Sequence, residues 1–159
     1  MAVYMKFQGI SGAVTTKGYE KWVELNSFSF GLGRSIGTAA RGSVNREGAE
    51  PHFSEVMITK PYDVASIKLI EDGWGGHLDS KVEFKFTTTV KDGVHHFLSI
   101  ELEKCGVSGY QVVSGDQGNP TESIALNYAK ITVNHIGMDS KGSGSPVRAA
   151  YDLEKMAKA

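Results

Sequence analysis

The sequence predicts a mainly β protein with one short helix packed at its side. Three observations carry this. Apolar and polar residues alternate in short runs, 19 glycines against 4 prolines divide those runs, and only one stretch has helical spacing. About eight strands at short intervals, one helix and one long loop fit a β-barrel or sandwich.

Residues 2–8 read as a first strand, with Val3, Met5 and Phe7 on one face. Gly9, Gly12 and Gly18 mark a loop. Residues 22–30 form a second strand, in which Val23 and Leu25 alternate with Glu24 and Asn26. The apolar positions then switch face at Phe28 and Phe30, the mark of a bulge or a change of environment. Residues 31–50 are glycine-rich, polar and without periodicity. Such a length is unusual for a plain connection and suits a functional or disordered loop. Residues 53–59 resume as a strand carrying Val56 and Ile58.

Pro61 and Asp63 signal a helix start with Asp63 as N-cap. Val64, Ile67, Leu69 and Ile70 follow with helical spacing, and Gly73, Gly75 and Gly76 end the helix. Val82, Phe84, Phe86, Thr88 and Val90 alternate, as do Leu98, Ile100 and Leu102. Asp92-Gly93 between them predicts a type I′ hairpin turn. Residues 106–114 read as a further strand and residues 115–120 as a turn. Residues 123–135 read as one long strand, residues 142–146 as a flexible link and residues 148–153 as a last edge strand. The tail, residues 155–159, is expected to fray.

The 159 residues suit a single domain spanning 1–159, large enough to bury a core without disulfide or metal staples. Seventeen basic and 18 acidic residues give a net charge of -1. With neither half strongly one-signed, the chain lacks the clustered cations that nucleic acid or acidic membranes require. It also lacks long-range repulsion between its own copies. Cys105 is the one cysteine, so no intrachain disulfide can form. The start has no signal-peptide pattern, and no run is long enough to span a membrane as a helix.

Chemical motifs are sparse. Residues 31–37 have the spacing G-x-G-x-x-x-G rather than G-x-G-x-x-G, and no amphipathic helix follows to face a phosphate. His52, His77, His95, His96 and His135 lack metal-site spacing. Adjacent His95 and His96 on a strand face opposite sides. No G-x-S-x-G elbow occurs. Cys105 reads as a buried apolar thiol, and Glu101 and Glu103 beside Lys104 as solvated strand charges. No cofactor is expected. In the long loop, Arg34, Arg41 and Arg46 stand against Glu47 and Glu50. They form either a solvated loop or an arm whose charges pair with a neighbouring subunit.

Five segments together resemble one family. They are Ala2-Val-Tyr-Met-Lys-Phe7, Ile58-Thr-Lys-Pro-Tyr-Asp63, Cys105-Gly-Val-Ser-Gly-Tyr110, Leu126-Asn-Tyr-Ala-Lys-Ile131 and Tyr151-Asp-Leu153. In this order they are similar to the Hcp proteins, tube subunits of bacterial type VI secretion systems. The resemblance implies a β-barrel-like pair of antiparallel sheets with a helix at the side, six copies in a ring, and rings stacked into a hollow tube. It implies partners in the spike, sheath and baseplate, effector proteins carried in the lumen, and no catalytic residues. It also implies a cytoplasmic protein that is later secreted without a cleaved signal, and leaves no room after Leu153 for a toxic extension. The long loop maps to the family's extended loop. Its candidate interface residues are Arg34, Ser35, Arg41, Asn45, Arg46, Glu47 and Glu50. The alternatives are a monomeric β-barrel binding module for a peptide or carbohydrate, and a hydrolase using Cys105 or a serine with a histidine.

Overall fold

A computed structural model describes residues 1–37, 48–137 and 145–159. Its strands are β1 (Ala2–Phe7), β2 (Val23–Leu25), β3 (Ser27–Ser29), β4 (Leu32–Gly33), β5 (His52–Phe53) and β6 (Val56–Pro61). The helix α1 (Ser66–Gly75) follows, then β7 (Ser80–Val90), β8 (Gly93–Val113), β9 (Thr121–Asn127), β10 (Lys130–Ile136), β11 (Pro146–Asp152) and β12 (Ala157–Lys158). All ladders among these strands are antiparallel.

Two sheets share β8. Its first part pairs β7 on one side and β10 on the other, and that sheet runs β12-β11-β10-β8-β7-β1-β2. From Gly106 onward β8 pairs β9, which pairs β6, which pairs β3. The corner has two causes. The register shift between Ser80 and Val82 puts one extra β8 residue opposite β7, and Lys104 there has a positive φ of 50°. Such a bulge bends a strand without ending it. Gly106 then passes the His77 carbonyl so closely that a Cβ would lie 2.1 Å from its oxygen. The expected separate strand at 106–114 is therefore the second half of β8. Across the barrel-like body the opposite corner is Asn26. The chain pairs β1 before it and β6 after it, and the Asn26 N–H donates to the Thr59 carbonyl at 2.7 Å. The single second strand of the sequence reading is thus two, with the change of environment placed at Asn26.

Three other expectations are corrected. Residues 123–135 are two strands, because the Ala129 N–H bonds the Glu103 carbonyl at 3.0 Å and the Leu153 N–H bonds the Ala129 carbonyl at 2.8 Å. These tertiary bonds make a turn that local alternation does not reveal. The 91–92 turn is not type I′, since only Gly93 has positive φ (128°). The tail does not simply fray: Tyr151 pairs Lys158 and Asp152 pairs Ala157, so β11 is not an outer edge there.

The core lies between the sheets. Met5, Phe7, Val23, Leu25, Val82, Phe84, Ile100 and Leu102 come from one, Val56, Ile58, Ile124 and Leu126 from the other. On the outer face of β1, residues 9–22 fold back so that Tyr4, Tyr19 and Trp22 form a second cluster. Tyr4 and Tyr19 stack at 5.0 Å, and the Lys85 ammonium sits 5.1 Å from the Trp22 ring centre.

The Tyr19 hydroxyl lies 3.4 Å from His96 Nδ1. Burial first, then the positive charges of Lys85 and His95, hold His96 below its ordinary 6.5, with Glu83 opposing. The unfolded chain binds this proton first, so the fold loses stability as pH falls below about 6.5. His96→Gln is expected to reduce the drop in melting temperature between neutral and mildly acid pH. An undiminished drop would assign the acid sensitivity to other groups.

Candidate assembly surfaces and a buried ionic cluster

The most polar site in the interior grows from strand periodicity. Lys60 follows Ile58 by two residues and Glu122 precedes Ile124 by two, so both point into the core. They stand directly opposite each other on β6 and β9, and both are 0% exposed. The Lys60 ammonium donates to a Glu122 carboxylate oxygen, to Ser66 Oγ at 3.0 Å and to the Pro61 carbonyl at 2.9 Å. Asp63 Oδ1 also lies 2.9 Å away. Ser66 Oγ donates to Glu122 Oε2 at 2.7 Å, and the Tyr110 hydroxyl donates to the other Glu122 oxygen. Burial and then this bond to Glu122 raise the Tyr110 ionisation above its ordinary value.

This cluster explains the helix. Asp63 is not its N-cap. The N-cap is Ala65, which has no side-chain bond, while Asp63 Oδ1 closes the preceding turn on the Ala65 N–H at 2.9 Å. Ser66 is drawn to the ion pair, so the inward face of α1 holds Ser66 and Leu69, and Val64 and Ile67 turn to solvent. Gly76, with φ 71°, ends the helix and bonds back to the Asp72 carbonyl. A serine beside a lysine also resembles a nucleophile and its base. Here the ammonium is spent on several acceptors and has no lone pair to give. The cluster ties β6, α1, β8 and β9 together.

Cys105 is fully buried. Burial and the nearby Asp72 charge push its thiol up to about 12, against a backbone bond from Gly106. It is held far from the thiolate form that nucleophiles use. The native protein is expected to resist a thiol-reactive dye at mildly alkaline pH and to consume one equivalent on unfolding. Rapid native labelling would reveal an opening of the β8 corner. Among the described residues no group of three His, Cys, Asp or Glu could hold a metal ion, and no helix is long and apolar enough to cross a membrane.

The long loop has an ordered base. Leu32 pairs Phe53, Gly33 pairs His52, and Ile36 bridges Gly48, forming the root of an arm. Arg34 Nε donates to the Ala49 carbonyl at 2.7 Å, and the Ala49 N–H donates to the Ser35 carbonyl at 2.8 Å. Arg34, Ser35 and Glu50 are exposed there. Arg41, Asn45, Arg46 and Glu47 lie outside the described residues. The sequence reading missed the apolar anchor of this arm, although Phe53 was visible at the strand start. Phe53 stacks on Tyr151 at 4.8 Å, and the Tyr128 hydroxyl donates to the Ser54 carbonyl at 2.7 Å.

Beside that anchor is an apolar groove of about 360 Å³, lined by Phe30, Leu32, Phe53, Ile131, Val133 and Tyr151 with Lys158 at its margin. A second apolar surface runs along the outer side of α1, where Ile67, Trp74 and, beyond the helix, Leu78 are exposed. Exposed apolar patches of this kind mark interaction surfaces. A wider cleft of about 590 Å³ is lined by Lys6, Gln8, Ser11, Lys81 and Glu83, all on or beside the outer face of β1 and β7.

A two-sheet body, an apolar groove, a paired loop base and a helix with an exposed tryptophan put the distinctive features of the described residues on the surface. Over residues 4–135 the chain matches the family model of the type VI secretion system effector Hcp. It belongs to that family, the tube subunits of type VI secretion. Among solved structures, a type six secretion system protein is 24% identical, with a TM-score of 0.89 and 99% of each chain covered. Hcp1 from Salmonella typhimurium is 15% identical at TM-score 0.77, covering 99% of this chain and 98% of its own. A type VI secretion system effector from Yersinia pestis is 17% identical at TM-score 0.70, covering 94% and 98%. Among curated protein sequences none matches.

Proposed function

We propose that this chain is a single domain, residues 1–159, that assembles into six-membered rings stacked as a hollow tube. It moves from the cytoplasm to the outside with the spike, driven by the sheath from a baseplate, and carries effector proteins in its lumen. Its role is structural and non-catalytic. The observation that carries this reading is the family match across residues 4–135. Head-to-tail rings need unlike patches on one subunit, and the groove and the α1 surface supply such a pair.

The arm is proposed as a subunit contact through Arg34, Ser35, Arg41, Asn45, Arg46, Glu47 and Glu50. The test joins light scattering with negative-stain microscopy. Six-fold rings with six times the 17.2 kDa chain mass are expected. A single-chain mass at high concentration would reject the tube and return the monomeric binding module. Replacing residues 35–48 by a two-residue Asn-Gly turn is expected to keep the melting temperature within a few degrees while impairing ring stacking. Normal tubes from that variant would show the arm to be dispensable.

A further inference from the structure

Among the described residues, nothing covers the stripe on α1 or the groove beside the loop base. Ile67 and Trp74 are seven residues apart, two helical turns, and so share a face. They are 52% and 76% exposed. Trp22, the other tryptophan, is buried. Placing Trp74 in water leaves a large apolar ring unused, and tryptophan is a preferred anchor at the centre of interfaces. Glu71 lies on the same side, 47% exposed, and its partner is the surface Lys68 at 3.1 Å.

The groove has the opposite character. Its walls are aromatic and aliphatic, its Leu32 lip is 63% exposed, and its one cation is Lys158. Lys158 makes no ion pair among the described residues. The groove is built from the arm base, β10, β11 and β12, whereas α1 packs against β8. The stripe is therefore not the groove's own lid.

We propose that the α1 stripe of one copy seats in the groove of the next, with Trp74 as the anchor and Glu71 meeting Lys158 at the margin. This names the lateral contact of the ring and rests on the ring reading above. Two unlike patches make a heterologous contact, which closes into a ring when its rotation divides the circle. The charges match in sign, carboxylate on the stripe and ammonium on the groove. The net charge of -1 opposes no approach between copies.

The experiment compares the wild type with Trp74→Arg and Leu32→Arg, both at exposed positions, by light scattering and microscopy, with melting temperatures measured alongside. Each variant alone is expected to lose the ring peak and run at the single-chain mass. Mixed in equal amounts, they are expected to form a two-chain particle and no rings, because only one intact stripe meets one intact groove. Rings from either variant at wild-type abundance would overturn this contact and leave the ring reading standing. Loss of rings in both without a two-chain particle in the mixture would overturn the pairing of these two patches. A wild type that never forms rings would instead overturn the ring reading itself. Fluorescence provides a readout independent of substitution at the groove. Trp74 emission is expected to shift to the blue as wild-type rings form, and Trp74→Phe to abolish that shift while still assembling. An unshifted wild type would overturn the proposal even if either arginine variant failed to fold.

Discussion

Glu122→Ala is expected to lower the unfolding free energy by about 3–5 kcal/mol, the usual effect of breaking a buried ion pair from one side. The change leaves the Lys60 ammonium in a fully buried position with Asp63, Ser66 and the Pro61 carbonyl as its remaining partners. It also takes the acceptor from the Tyr110 hydroxyl. Urea unfolding would measure it. The double change Lys60→Met with Glu122→Leu is expected to recover most of the loss, since an apolar pair of similar volume removes both desolvation costs. A single-variant loss below about 1 kcal/mol would mean that water or a rotated side chain relieves the stranded charge.

Leu126→Asp is expected to abolish folding. Leu126 is 0% exposed and sits on β9 between Val56 of β6 and Val107 of β8. A truncation to alanine there would cost about 2–5 kcal/mol. A carboxylate adds the cost of burying an unpaired charge, which reaches the whole stability of a domain, about 5–15 kcal/mol. The expected readout is insoluble protein without a cooperative transition. Ile131→Asp should act in the same direction, since Ile131 is 3% exposed. A soluble Leu126→Asp protein with an unchanged melting temperature would show that the faces of β9 are reversed.

The sequence reveals this fold best where a strand's neighbours are close in the chain. The alternation of Val82, Phe84 and Phe86 against Leu98, Ile100 and Leu102 places β7 and the first half of β8 correctly, because their register follows from a short turn. It fails where distant bonds decide. Gly106 reads as a break, yet a bulge at Lys104 carries β8 onward. Tyr128-Ala129 lies within an apparently continuous run, yet bonds to Glu103, Leu153 and Ser54 stop it there. The helix was legible but its rotation was not, because Ser66 turns inward to an ion pair whose partners are 62 residues apart in the chain. That pair was itself within reach. Period two directs Lys60 and Glu122 inward, but the general tendency of charges to face water argues the other way. The assembly surface was half legible. The charged loop was visible, whereas the groove needs Phe53, Ile131 and Tyr151 from three separate strands and the stripe needs the helix's true orientation.

The unbroken passage of β8 through both layers has a mechanical meaning. Tension applied to one layer reaches the other through covalent backbone, not through side-chain packing alone. Pulled at its ends, the molecule should yield first by peeling the short last strand β12, which pairs β11 only at Tyr151 and Asp152. Its central wall should stay whole until much higher force.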